Sequence, residues 1–180
     1  MTVLYATLLI ILCLILVVII IPQIIRSLAG QPPFVRTHKR AVSGIVEALR
    51  LKPNDVLYDL GCGNGRVLKA AIKGNPGVKG VGIEYNWFPV ALAKLNVHNL
   101  PIQIRHESFF DCDLSDAKHI YCYLLPSTLE KLEPHLRASC KPGTRIVTCD
   151  FHFPTLIPIQ EIVLSTAKKG PGKKLFVYLL

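Results

Sequence analysis

The chain has 180 residues, 51% of them hydrophobic, and a net charge of +9 from Lys+Arg 21 against Asp+Glu 12. That length admits one domain with an appendage and excludes two full domains. Apolar residues spread along the chain exclude a disordered or fibrous protein, yet Val3 to Ile25 holds no charged side chain, so the whole excess of charge falls on the remainder.

The run Val3 to Ile21, about 19 residues, would span roughly 28 Å as a helix, close to the ~30 Å hydrocarbon core of a bilayer. Residues 1–25 are therefore expected to form a transmembrane helix. A cleaved signal peptide, with small residues at Ser27-Leu28-Ala29, is the competing reading. Against it, no basic side chain precedes the run, and the run exceeds the usual core of about 7–15 residues. Arg26, Arg36, Lys39 and Arg40 follow, so the positive-inside rule puts the globular part on the cytoplasmic or matrix-equivalent face of a membrane. Residues 26–36 read as a linker and lid loop, and 37–180 as the catalytic domain.

His38 to Leu51 has Val42, Ile45, Val46 and Leu49 at helical spacing, and Pro53-Asn54-Asp55 ends it. Strand and helix patterns then alternate. Strands are expected at Val56–Leu60, Gly80–Glu84, Ile102–His106, His119–Leu124 and Arg145–Cys149. Helices are expected at Arg66–Lys73, Phe88–Asn99 and Ser127–Ser139. Ile159–Leu164 and Leu175–Leu180, joined without a helix, should close the sheet as an antiparallel hairpin. This order predicts an α/β fold with a mainly parallel seven-stranded sheet covered on both faces. Lys168, Lys169, Lys173 and Lys174 give the hairpin a basic tip, read either as a solvated turn or as a contact for lipid or an acidic partner. The six cysteines (Cys13, Cys62, Cys112, Cys122, Cys140, Cys149) show neither C-x-x-C pairing nor zinc-finger spacing, so no metal site is expected, and scattered thiols suit a reducing compartment.

The segment that carries chemistry is Asp59-Leu60-Gly61-Cys62-Gly63-Asn64-Gly65-Arg66, set between the first strand and a helix. Glycines let the backbone turn sharply and a ligand approach closely, and the helix N-terminus adds free amide donors. The spacing departs from Gly-x-Gly-x-x-Gly, since Arg66 stands where the third glycine belongs, and no Gly-Lys-Ser/Thr is present. Asp59 would repel a pyrophosphate but can pair with the amino group and sulfonium of S-adenosylmethionine. Glu84, about 19 residues beyond Gly65, ends the second strand where this fold meets ribose hydroxyls.

These residues resemble those of the Rossmann-like, seven-strand class I methyltransferases. The similarity is closer to membrane-anchored protein-lysine methyltransferases related to those of the ATP synthase c-subunit and the adenine nucleotide translocase. It runs over about Pro33 to Asp150 and is carried by Pro33-Phe34-Val35-Arg36-Thr37, Asp59 to Arg66, Gly82-Ile83-Glu84-Tyr85-Asn86 and Tyr123-Leu124-Leu125-Pro126. It implies S-adenosylmethionine as cofactor, held by Asp59, Gly61, Cys62, Gly63, Gly65, Glu84, Tyr85, Ser108 and Phe109, with Pro33 and Phe34 in the lid. Two positions depart from the family pattern: Arg36 replaces a proline, and Ser108 replaces the Asp that meets the adenine amino group, a task open to Glu107 or the Ser108 hydroxyl.

Enzymes that methylate bases or glutamine carry Asn/Asp-Pro-Pro-Tyr after the fourth strand, where this chain has Tyr123-Leu124-Leu125-Pro126. A flexible lysine needs an apolar channel and a group to aim its lone pair, and Tyr123 and Asp150 are the candidates to line that channel. Methyl transfer is an in-line displacement in which positioning supplies most of the barrier lowering, so a dedicated base is not required. The expected acceptor is a lysine of a membrane protein, because only about ten residues would tether the site within roughly 35 Å of the bilayer. A small or lipid-like acceptor and a non-catalytic cofactor-binding module are the alternatives, and no nucleic-acid partner is expected.

Overall fold

The computed structural model describes the backbone at residues 2–28, 37, 39–164 and 171–180, and most of the side chains within them. Two compact units divide the chain, Met1–Val35 and Arg36–Leu180.

The first unit contains α1 (Thr2–Leu28). The expected transmembrane helix is not upheld, because among the described residues no helix is long and apolar enough to cross a membrane. The lid loop with Pro33, Phe34 and Arg36 lies outside the described residues, as do Lys168 and Lys169 of the hairpin tip.

The second unit begins with α2 (Lys39–Leu49), then alternates β1 (Val56–Leu60), α3 (Arg66–Gly74), β2 (Lys79–Glu84), α4 (Trp87–Val97), β3 (Ile102–His106), β4 (His119–Cys122), α5 (Pro126–Ser139) and β5 (Arg145–Cys149). β6 (Gln160–Val163) and β7 (Lys174–Leu179) close it. The sheet is mixed, in the order β3-β2-β1-β4-β5-β7-β6. β1 to β5 pair in parallel, and β7 inserts antiparallel between β5 and β6. Chain order reverses beside β1, where β1 and β4 are neighbours, and ligands of open α/β sheets bind at the carboxyl ends of the strands at such a reversal.

Alternation along the strands sends side chains to two cores. Leu57, Tyr121, Val147, Cys149 and Val177 join Ile45 and Leu49 of α2 and Leu68 and Ala71 of α3 on one face. Tyr58, Leu60, Ile120, Cys122, Ile146 and Tyr178 meet Leu129, Leu132 and Leu136 of α5 on the other. Element ends fall within two residues of the sequence expectation. Pro126 takes the first position of α5, where its missing N–H costs nothing.

Candidate functional site

Between β1 and α3 the chain makes a turn whose glycines all sit in the left-handed region, with φ of 79° at Gly61, 55° at Gly63 and 71° at Gly65. Gly65 caps α3, and a Cβ there would stand 3.2 Å from Val97 of α4. A side chain at this position would be strained by its backbone conformation and crowded by Val97. The turn is fastened to β2, because the amides of Gly61 and Cys62 both donate to the Ile83 carbonyl, at 2.9 and 3.0 Å. Glu84 completes the attachment: its Oε2 accepts from the Gly63 amide at 3.1 Å and its Oε1 from the Asn86 amide at 2.8 Å. The buried Cys62 thiol is pushed up by burial and by the Asp59 and Glu84 carboxylates, so it stays neutral and fills space under the turn.

Asp59 and Glu84 are 2% and 7% exposed, and no described basic side chain pairs with either. Burial, reinforced by Glu84, pushes the Asp59 carboxyl up to about 8. Two buried carboxylates without a counter-cation favour a ligand that brings one. The ammonium of S-adenosylmethionine would meet that demand at Asp59. The spare lone pairs on the Glu84 oxygens suit ribose hydroxyls, so the donor set fits this cofactor.

At the adenine side Tyr85 is 66% exposed, and His106 Nε2 lies 2.8 Å from its carbonyl oxygen. Ser108 is committed to its own turn, its hydroxyl accepting from the Phe110 amide at 3.2 Å. Glu107, by contrast, has a buried Oε1 with no hydrogen bond, 3.8 Å from Arg105. Of the two stand-ins for the family aspartate, Glu107 holds the open acceptor. Phe109 leans into the core beside Tyr58 and Leu60 with its ring 4.7 Å from that of Phe110.

The structure joins Tyr123 and Asp150, the two residues expected to line the acceptor channel. The Tyr123 hydroxyl donates to Asp150 Oδ2 at 2.7 Å, and its ring stacks on Phe151. Asp150 has φ 60°, unusual for a residue with a Cβ. Its carboxylate also accepts the amides of Gly172 (2.6 Å), Lys173 (2.6 Å) and Lys174 (3.2 Å). Burial alone would raise this carboxyl, but the Gly172 amide, the Tyr123 hydroxyl and the lysine amides together hold it below its ordinary value. Burial, then the bond to Asp150, raises Tyr123, which therefore remains a neutral phenol. Asp150 is thus a fastener between β5, the β6–β7 hairpin and Tyr123.

Sequence reasoning missed Tyr121, and it named Thr37 and Arg66 as motif residues without the bond that joins them. Tyr121 is the Cα partner of Asp59 across β1 and β4. It is 2% exposed, and its hydroxyl has no hydrogen-bond partner. Arg66 donates to the Thr37 carbonyl at 3.0 Å, holding the chain before α2 against the start of α3. Only strand register could have exposed Tyr121, because nothing in its sequence neighbourhood distinguishes it from a core tyrosine. A groove of about 620 Å³ between α2 and α3, lined by Val46, Arg50, Leu51 and Asn75 among others, shares no residue with this site.

Residues 59–160 match the family described as the ANTKMT methyltransferase domain. A protein-lysine N-methyltransferase of Saccharolobus islandicus is 34% identical over 155 residues, which cover 84% of this chain and 96% of that protein. The mouse adenine nucleotide translocase lysine N-methyltransferase is 31% identical over 137 residues, 73% of this chain but 58% of its own length. The chain therefore spans little more than half of that mouse relative. Among solved structures, an RNA methyltransferase of Salinibacter ruber in complex with S-adenosyl-L-homocysteine superposes with a TM-score of 0.73 and 32% identity, covering 81% of this chain and 93% of the other.

Proposed function

The chain belongs to the ANTKMT methyltransferase domain family and is an S-adenosylmethionine-dependent methyltransferase; we propose that its acceptor is the side-chain amine of a protein lysine. The observation that carries this reading is the Saccharolobus islandicus protein-lysine N-methyltransferase, similar over nearly its whole length.

The cofactor supplies an electrophilic methyl group on a sulfonium. The residues of this chain hold, aim and keep dry. Asp59 takes the cationic amino-acid end and Glu84 the ribose, each gaining charge-assisted bonds that solvent no longer weakens. Tyr123, with its proton committed to Asp150, offers an oxygen lone pair to an N–H of the entering amine. That bond fixes the direction of the nitrogen lone pair. Near-attack alignment of this kind supplies up to about 7–11 kcal/mol of barrier lowering. The lysine sheds its proton to solvent before it enters, because a neutral phenol and an Asp held below its ordinary value are poor bases.

A second reading has one observation in its favour: the Salinibacter ruber structure is described as an RNA methyltransferase. The +9 charge is compatible with a polyanion. Tritiated S-adenosylmethionine incubated with the chain and a cell extract separates the two. Label that protease releases and ribonuclease leaves in place supports the lysine reading, and the reverse pattern replaces it with RNA.

A further inference from the structure

Tyr121 carries a buried hydroxyl that neither the fold nor the proposed acceptor chemistry uses. Its position follows from register. Asp59 and Tyr121 are Cα partners on neighbouring parallel strands, so both side chains leave the same face of the sheet. That face is the one covered by α2, since Leu57 and Cys149 belong to the core that Tyr121 joins. The Asp59 carboxylate, the Thr37 side chain and the Cys149 thiol are the groups that act on this hydroxyl, and it completes no hydrogen bond. Thr37 is itself held over this spot by Arg66.

A buried phenol without a hydrogen-bond partner destabilises the fold. A purely structural tyrosine would gain from losing the oxygen, since phenylalanine fills nearly the same volume. The hydroxyl instead stands beside the carboxylate that the cofactor's ammonium would seek. Asp59 offers that ammonium one anchor, but an ammonium has three N–H donors and needs further acceptors.

We propose that Tyr121 is a cofactor-binding residue, whose hydroxyl accepts a hydrogen bond from the α-ammonium of S-adenosylmethionine and donates its own proton to Asp59. The pair forms one acceptor surface for the amino-acid end of the ligand. The adenosine end, gathered by Glu84 and the residues after β3, is independent of it. Burial keeps the phenol neutral, so it serves as a dipole and adds no second charge. This assignment concerns the cofactor and holds whichever acceptor receives the methyl group.

The test uses Tyr121→Phe in the full chain and two probes, S-adenosylhomocysteine and methylthioadenosine, which shares the adenosine and lacks the amino-acid end. Calorimetric titration should show S-adenosylhomocysteine weakened about tenfold or more, as expected for loss of a hydrogen bond to a charged group. Methylthioadenosine should bind within about twofold of the wild type. The ligand-free variant should melt no lower than the wild type. Unchanged affinity for both probes, or equal weakening of both, would overturn the proposal. So would a lower melting temperature with the two affinities unchanged, which would make Tyr121 a structural residue. A third measurement needs no substitution: S-adenosylhomocysteine should shift the fluorine resonance of fluorotyrosine at position 121 and methylthioadenosine should not.

Discussion

Replacing Asp59 by Asn should stabilise the ligand-free protein at alkaline pH and at the same time remove its cofactor binding. In the native state burial and Glu84 raise the Asp59 carboxyl to about 8, whereas in the unfolded chain it titrates near 3.9. Between these values the folded protein holds a proton that the unfolded chain has lost, so stability falls as pH rises, with a slope approaching about 1.4 kcal/mol per pH unit. From pH 6 to pH 8 the loss integrates to about 2 kcal/mol. The Asn variant lacks this titration and should show a flatter profile over the same window. Ligand affinity should move the other way. An ammonium favours the ionised carboxylate, so binding to the wild type should tighten by up to about 50-fold between pH 6 and pH 8. Urea unfolding of both proteins at the two pH values, beside calorimetric titration of S-adenosylhomocysteine, checks both slopes. Parallel stability profiles, with wild-type affinity independent of pH, would refute the reasoning.

Three further outcomes follow from the same geometry. Tyr123→Phe should lower methyl transfer about 10- to 100-fold while leaving S-adenosylhomocysteine affinity within about twofold, because the proposed mechanism uses the lost oxygen to aim the acceptor amine; single-turnover assays and calorimetry read the two quantities separately. Asp150→Asn should cost about 2 kcal/mol in urea unfolding, since an amide cannot accept on both sides from Gly172, Lys173, Lys174 and Tyr123. Gly65→Ala should cost about 1–2 kcal/mol and weaken cofactor binding, because a φ of 71° strains an L residue and Val97, 3.2 Å from the added Cβ, must give way; thermal melting with and without S-adenosylhomocysteine checks it.

The parts of the site that were legible in the sequence are the local ones. A Gly-x-Gly-x-Gly turn between strand and helix must take left-handed φ values, so Gly61, Gly63 and Gly65 announced their geometry. Glu84 was legible because a strand end in this fold has one fixed neighbour. Long-range pairings were not. The Tyr123–Asp150 bond spans the α5 crossover, and the amides that convert Asp150 into a fastener come from a hairpin that returns more than twenty residues later. Tyr121 acquires meaning only when β4 settles beside β1 with Asp59 opposite. The bond from the Phe110 amide to the Ser108 hydroxyl depends on the turn after β3 and was not legible either. The apolar N-terminal run illustrates the reverse limit: hydropathy alone suggested a bilayer span, and among the described residues none is found.

The most direct test of the central claim is mass spectrometry of proteins incubated with the chain and S-adenosylmethionine carrying a deuterated methyl group. The account predicts labelled methyl on lysine Nζ, produced by the wild type and lost with Asp59→Ala and with Glu84→Ala. Label confined to RNA, or to a non-protein small molecule, would contradict the lysine assignment. No transfer to any acceptor by a folded wild type that binds the cofactor would contradict the enzymatic reading itself.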